Sequence, residues 1–189
     1  MKRTAWAVLM ILCFLLCGCD GSAELENSVA EARQRWAEAE SIGFTADVVT
    51  ELEDSVFECV LRCTVSEEEY LVELISPENI AGIKARLRKD ESTLEYDGLI
   101  LALEDSVIGE CSPLKGSAML TKAILEGHIR SIWTETDGER ELIAGEIYIS
   151  ENEYAGIWLD KEKLDPCYME LVSGGRAVVK CRIDSFTEE

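Results

Sequence analysis

Five cysteines follow the apolar start of the chain (Cys59, Cys63, Cys111, Cys167 and Cys181), and with the single His128 they carry its most specific chemistry. Thiolates four residues apart suit a metal only on one face of a helix. In a strand the same spacing covers ~13 Å, beyond the ~7 Å Cα limit for a disulfide. The alternation around Cys59 and Cys63 predicts a strand, so both read as small hydrophobes on one buried face. A zinc site would need further ligands, and one histidine adds little. His128 is the only conventional general base, and it follows Gly127 at the expected end of a helix, where the dipole favours an imidazolium. Carboxylates cluster at Glu51/Glu53/Asp54, Glu67/Glu68/Glu69, Glu104/Asp105 and Glu188/Glu189. With 38 acidic residues in the chain, such adjacency is what solvated turns produce. Glycoside hydrolysis would instead need two carboxyls at a defined separation in a cleft. No G-x-S-x-G, P-loop, G-x-G-x-x-G or H-E-x-x-H occurs. The expectation is a protein without catalytic residues, metal or cofactor.

Cys19 carries a different chemistry. Met1-Lys2-Arg3 is cationic, and Ala5 to Leu16 is an uncharged apolar run too short for a ~30 Å hydrocarbon core. Leu16-Cys17-Gly18-Cys19 stands where cleavage would fall and resembles a bacterial lipobox, with Cys17 an unusual occupant of the second position. That resemblance implies that Cys19 becomes the first mature residue and carries diacylglycerol. Two or more acyl chains, at ~0.8 kcal/mol per buried CH₂, make a stable anchor. The expected organisation is a signal peptide over 1–18, a lipidated tether over 19–23 and one domain over 24–189. The expected location is the cell membrane, facing away from the cytoplasm.

The net charge of −20 becomes −22 when Lys2 and Arg3 leave with the leader. Nucleic acid and flat adsorption on anionic lipid are excluded, because both would repel such a surface.

Behind the tether, Glu24 to Glu40 predicts a helix with Leu25, Val29, Ala32, Trp36 and Ala39 on one stripe, ended by Gly43. The period then falls to two. Phe44, Ala46, Val48 and Leu52 share a face, as do Phe57, Cys59, Leu61, Cys63 and Val65. Tyr70, Val72 and Leu74 follow, then Ile83, Ala85 and Leu87, then Leu94 to Tyr96 and Leu99 to Leu103. Ser112-Pro113 opens a second helix that stops at Gly127. Strands over 129–136, 141–149 and 154–160 and a last hairpin complete an antiparallel sheet with one face buried, an α+β arrangement. In the last hairpin, burying Met169, Leu171, Val179 and Ile183 together requires paired residue numbers that sum to an even value. A Ser173-Gly174-Gly175 loop satisfies this and places Cys167 opposite Cys181, where a disulfide could form.

Such a sheet wrapped around amphipathic helices can leave an apolar cavity between its layers. The side chains expected to line it are Trp36, Phe44, Phe57, Leu61, Leu101, Leu120, Ile124, Trp133 and Trp158.

The order of elements over 24–186, with Ile75-Ser76-Pro77-Glu78-Asn79-Ile80-Ala81-Gly82, Leu94-Glu95-Tyr96-Asp97-Gly98 and Leu164-Asp165-Pro166, resembles the LolA/LolB lipoprotein-carrier superfamily. It is similar in style to LolA-like lipoproteins of Gram-positive bacteria, one of which assists a cortex-processing amidase in spore germination. The resemblance implies an incomplete antiparallel barrel with both helices on its concave face. It also implies either a lipid or other hydrophobic ligand in that concavity, or a protein partner in the envelope. No lipid-contacting position can be matched. The soluble carrier LolA lacks an anchor, and Asp20 after the lipidated cysteine resembles a retention signal of two-membrane bacteria. An open apolar cavity would mark a ligand binder. A filled core with an exposed apolar patch or free strand edge would mark an adaptor.

Overall fold

A computed structural model describes residues 20–52, 55–89, 91–103 and 112–189. Cys19, Cys111, Glu53, Asp54, Glu104 and Asp105, singled out in the sequence, lie outside them. The chain forms α1 (Asp20–Glu38), then β1 (Ser41–Leu52), β2 (Ser55–Ser66), β3 (Tyr70–Ser76), β4 (Lys84–Leu87), β5 (Ser92–Tyr96) and β6 (Leu99–Leu103). After α2 (Pro113–Glu126) come β7 (His128–Asp137), β8 (Arg140–Ser150), β9 (Glu153–Asp160), β10 (Pro166–Ser173) and β11 (Arg176–Glu188).

The strands make one 11-stranded sheet in the order β6-β5-β4-β3-β2-β1-β11-β10-β9-β8-β7. Two antiparallel meanders meet where β1 pairs with β11. β6 and β7 are the two ends of the sheet and do not pair with each other, so the barrel stays open.

Alternation decided which face is buried. On β2, Cys59, Leu61, Cys63 and Val65 are buried while Glu58 and Arg62 are exposed. On α1, Val29, Ala32 and Trp36 are buried against the core, with Leu25 and Ala39 partly so. The helix starts four residues before the expected Glu24, and β1 begins at Ser41, so Gly43 lies within a strand instead of ending the helix.

α2 has the expected ends. Ser112 Oγ accepts a hydrogen bond from the Lys115 N–H, Pro113 takes the first turn, and the Gly127 N–H donates to Ala123 O. The Ser112 and Gly127 contacts each satisfy a main-chain group that the helix leaves open, and Pro113 has no N–H to satisfy there. Arg33 reaches from α1 to the far end of α2. Its Nε donates to Ile124 O at 2.6 Å, placing a cation on C-terminal carbonyls where the dipole favours it.

The last hairpin departs from the expected register. Its turn is the two-residue Gly174-Gly175, both with positive φ (58° and 78°), as a primed hairpin turn requires. Val172 pairs with Ala177, but beyond a bulge Leu171 pairs with Val179 and Met169 with Cys181. The bulge adds one residue to β11 and restores the even sum, so Met169, Leu171, Val179 and Cys181 all remain buried. Arg182 therefore sits opposite Tyr168, Cys181 opposite Met169, and Cys167 and Cys181 are free thiols rather than a disulfide. The buried face was right, and the register moved by two residues to keep it.

Candidate functional site

The expected cavity residues separate into three groups. Trp36, Phe44, Leu61, Leu120 and Ile124 belong to one buried cluster, and Phe57 packs against it. Leu61 and Leu120 are 0% exposed, and Trp36 meets the Phe186 ring edge-on at 5.7 Å. The helices thus fill this part of the sheet's inner face. Leu101 is not with them; it is exposed on β6. Trp133 and Trp158 point to the outer face, because their neighbours Ile132, Ile157 and Leu159 take the inner one.

Three thiols lie under α2. Cys59 and Cys181 are both register partners of Val48, one on each side of β1. Ser117 Oγ lies 3.9 Å from Cys181 Sγ, and Thr121 Oγ1 lies 4.0 Å from Cys63 Sγ. Both hydroxyls also donate to helix carbonyls, Ser117 to Pro113 O and Thr121 to Ser117 O. Burial pushes Cys59 up to about 11 and Cys63 and Cys181 up to about 12. Among the described residues, no group of three His, Cys, Asp or Glu side chains is placed to hold a metal ion. These thiols should resist a disulfide-exchange reagent at pH 8 in the folded protein and react once urea unfolds it. Unfolded thiols ionise from about pH 8.5 while the folded ones keep their protons to about 11 or 12, so stability is full below that range and falls as pH rises through it. Equilibrium unfolding at pH 8 and pH 10.5 measures the loss.

An opening of about 370 Å³ remains where α2 overhangs β3 and β4. Tyr70, Leu87, Ala118 and Met119 give it an apolar lining. Lys89, Lys115 and Lys122 at this opening face Glu67, Glu68 and Glu126, so it carries no excess of either sign.

β6 is unlike the other strands. Leu99, Ile100 and Leu101 are 68%, 67% and 59% exposed, on an outermost strand of the sheet. β5 and β6 are joined by a two-residue turn with Tyr96 opposite Leu99. The hydrogen-bonded pairs of such a hairpin alternate, so the main-chain groups of Ile100 and Ala102 point away from β5. An uncharged apolar edge of this kind is a template for another strand.

On the outer face, one register row runs Trp133, Ala144, Trp158, Tyr168, Arg182 and Asp47 across β7, β8, β9, β10, β11 and β1. Trp158 meets Tyr168 edge-on at 5.1 Å, and its Nε1 donates to Glu135 Oε2 at 2.9 Å. Gly156 makes room for it: a Cβ there would lie 3.0 Å from the indole. Leu142, Ala144 and Val172 are buried outside the main core cluster, so this face has an apolar floor of its own. A groove of about 810 Å³ beside Trp158 and Tyr168 also takes in Asp160, Asp184, Arg140 and Arg182. Burial, then Glu170, pushes the Tyr168 hydroxyl well up, and burial, then Glu146 and Glu170, raises Tyr154. Tyr154-x-Gly156-x-Trp158 at period two could have marked this surface in the sequence, since the small residue between two large ones leaves space for a flat ring.

No protein-family model matches the chain, and no curated protein matches it by sequence. Solved structures do. A DUF1329 family protein from Desulfovibrio piger has a TM-score of 0.54 at 9% identity, over 90% of this chain and 94% of that one. A Vibrio parahaemolyticus domain described as an outer membrane lipoprotein-sorting protein has a TM-score of 0.50 at 12% identity, over 87% and 93%. An uncharacterised conserved protein from Thermus thermophilus gives 0.50 at 11% identity, over 88% and 86%. At these identities the likeness is one of fold, and the fold is the LolA-like one that the sequence resemblance implied.

Proposed function

We propose that this chain is an extracytoplasmic, lipid-anchored LolA-like protein that acts without catalysis, by holding a protein partner in the cell envelope. The observation that carries this reading is where apolar surface has gone. The inner face, which a carrier needs hollow, is packed with the chain's own Trp36, Leu120 and Ile124, while Leu99, Ile100 and Leu101 are left outside on an edge that no other strand among the described residues pairs with. A strand from a partner would bond to Ile100 and Ala102 and cover those side chains. The leader directs export and Cys19 carries the anchor in this reading, and the charge of −22 left once the leader is removed keeps the domain soluble and away from anionic lipid.

A second reading is a hydrophobic ligand held between α2 and β3–β4. The opening of about 370 Å³ with Tyr70, Leu87 and Met119 in its lining favours it. Titration of the full chain with a fluorescent fatty acid separates the two. The partner reading expects no saturable signal; saturation at one equivalent would transfer the assignment to the ligand reading.

A further inference from the structure

The aromatic row on the outer face is flanked by carboxylates on both sides. In the next row toward one end of the strands, Glu135 and Asp160 are the register partners of Leu142. In the row on the other side, Glu146 and Glu170 are the register partners of Gly156. Glu135, Glu146 and Glu170 each already accept one hydrogen bond, from Trp158, Ser131 and Tyr168, which fixes them around the rings. Arg182 pairs with Asp47 and Lys180 with Glu51; Arg140 and Lys163 also line the groove, where the carboxylates Glu135, Asp137, Asp160, Asp165 and Asp184 outnumber the cations. Trp133 remains 37% exposed at the end of the row. Ring faces carry negative potential, and a guanidinium or ammonium placed over Trp or Tyr gains further from carboxylates at the ring edge. Sites rich in Trp and Tyr over a buried apolar floor are also where partner side chains anchor most strongly.

We propose that the outer-face groove at Trp158 and Tyr168 receives a cationic, Arg- or Lys-bearing segment of a protein partner, with the cation beside the rings and near Glu135 and Asp160, which both line it. This rests on the reading of the chain as a partner-binding protein and adds a second contact, far from β6 in the sheet order. The groove is large enough for several side chains, so a short peptide suffices as a probe.

The test is calorimetric titration of the full chain with hexa-arginine, beside hexa-glutamate and a chito-oligosaccharide. Hexa-arginine alone is expected to bind. The double substitution Glu135→Gln with Asp160→Asn keeps each hydrogen-bond acceptor, removes two charges from the groove lining and should weaken binding about tenfold or more. Trp158→Phe should weaken it as well, since phenylalanine is the poorer cation platform. Glu67→Gln with Glu68→Gln, an equal charge change at the α2 opening, should leave it within about twofold. Equal weakening by both pairs means non-specific attraction to an acidic protein and overturns the proposal. So does binding of the oligosaccharide in place of the peptide, or no binding at all. A retained fatty acid would count against the partner reading, whereas the peptide titration judges the groove.

Discussion

Leu61→Ala is expected to destabilise the protein by about 2–5 kcal/mol, while Arg62→Ala changes stability by less than about 0.5 kcal/mol. The two residues are adjacent on β2 and point to opposite faces. Leu61 is 0% exposed within the main cluster, so truncation removes its apolar contacts and leaves a cavity that the packed sheet cannot close. Arg62 is exposed, and its ion pair with Glu73 spans 3.7 Å at the surface, where such pairs add little. Urea denaturation of both variants measures the difference; equal midpoints would mean that the inner and outer faces of β2 are exchanged.

The second large effect is on maturation. Cys19→Ala should abolish lipid attachment and leave unprocessed precursor, because the lipobox-like Leu16-Cys17-Gly18-Cys19 puts the Cys19 sulfur where the thioether would form. Metabolic labelling with a fatty acid and the size of the mature chain report it. A normally processed Cys19→Ala protein would remove the anchor from the account. The substitution should not alter the fold, since the core residues among those described begin at Leu25 in α1.

What could be read in the sequence follows from what is local. Period-two alternation placed Cys59, Leu61 and Cys63 on the buried face, and Ser112-Pro113 and Gly127 bracketed α2, because face and cap are decided within a few residues. The register of the last hairpin was not legible. A bulge adds one residue without any mark in composition, so Gly174-Gly175, whose positive φ angles suit a two-residue turn, serves the same apolar face as the three-residue loop. Where both faces of a strand carry large apolar residues, alternation says which residues share a face but not which face is inside. Ile132 and Trp133 are both large and apolar, and the helices decided in favour of Ile132. Leu101 failed for a third reason. A continuous apolar run reads as a doubly covered strand. The run from Leu99 instead forms an end of the sheet, since strand order is set by long-range pairing that no local window contains.

The central claim is that the inner face is filled by the chain itself and holds no lipid. Native mass spectrometry of residues 20–189, purified from cells without detergent, tests it most directly. The account predicts a single species at the mass of the polypeptide. A reproducible added mass of one acyl chain or phospholipid, lost when α2 is repacked by Met119→Trp at the opening, would contradict it.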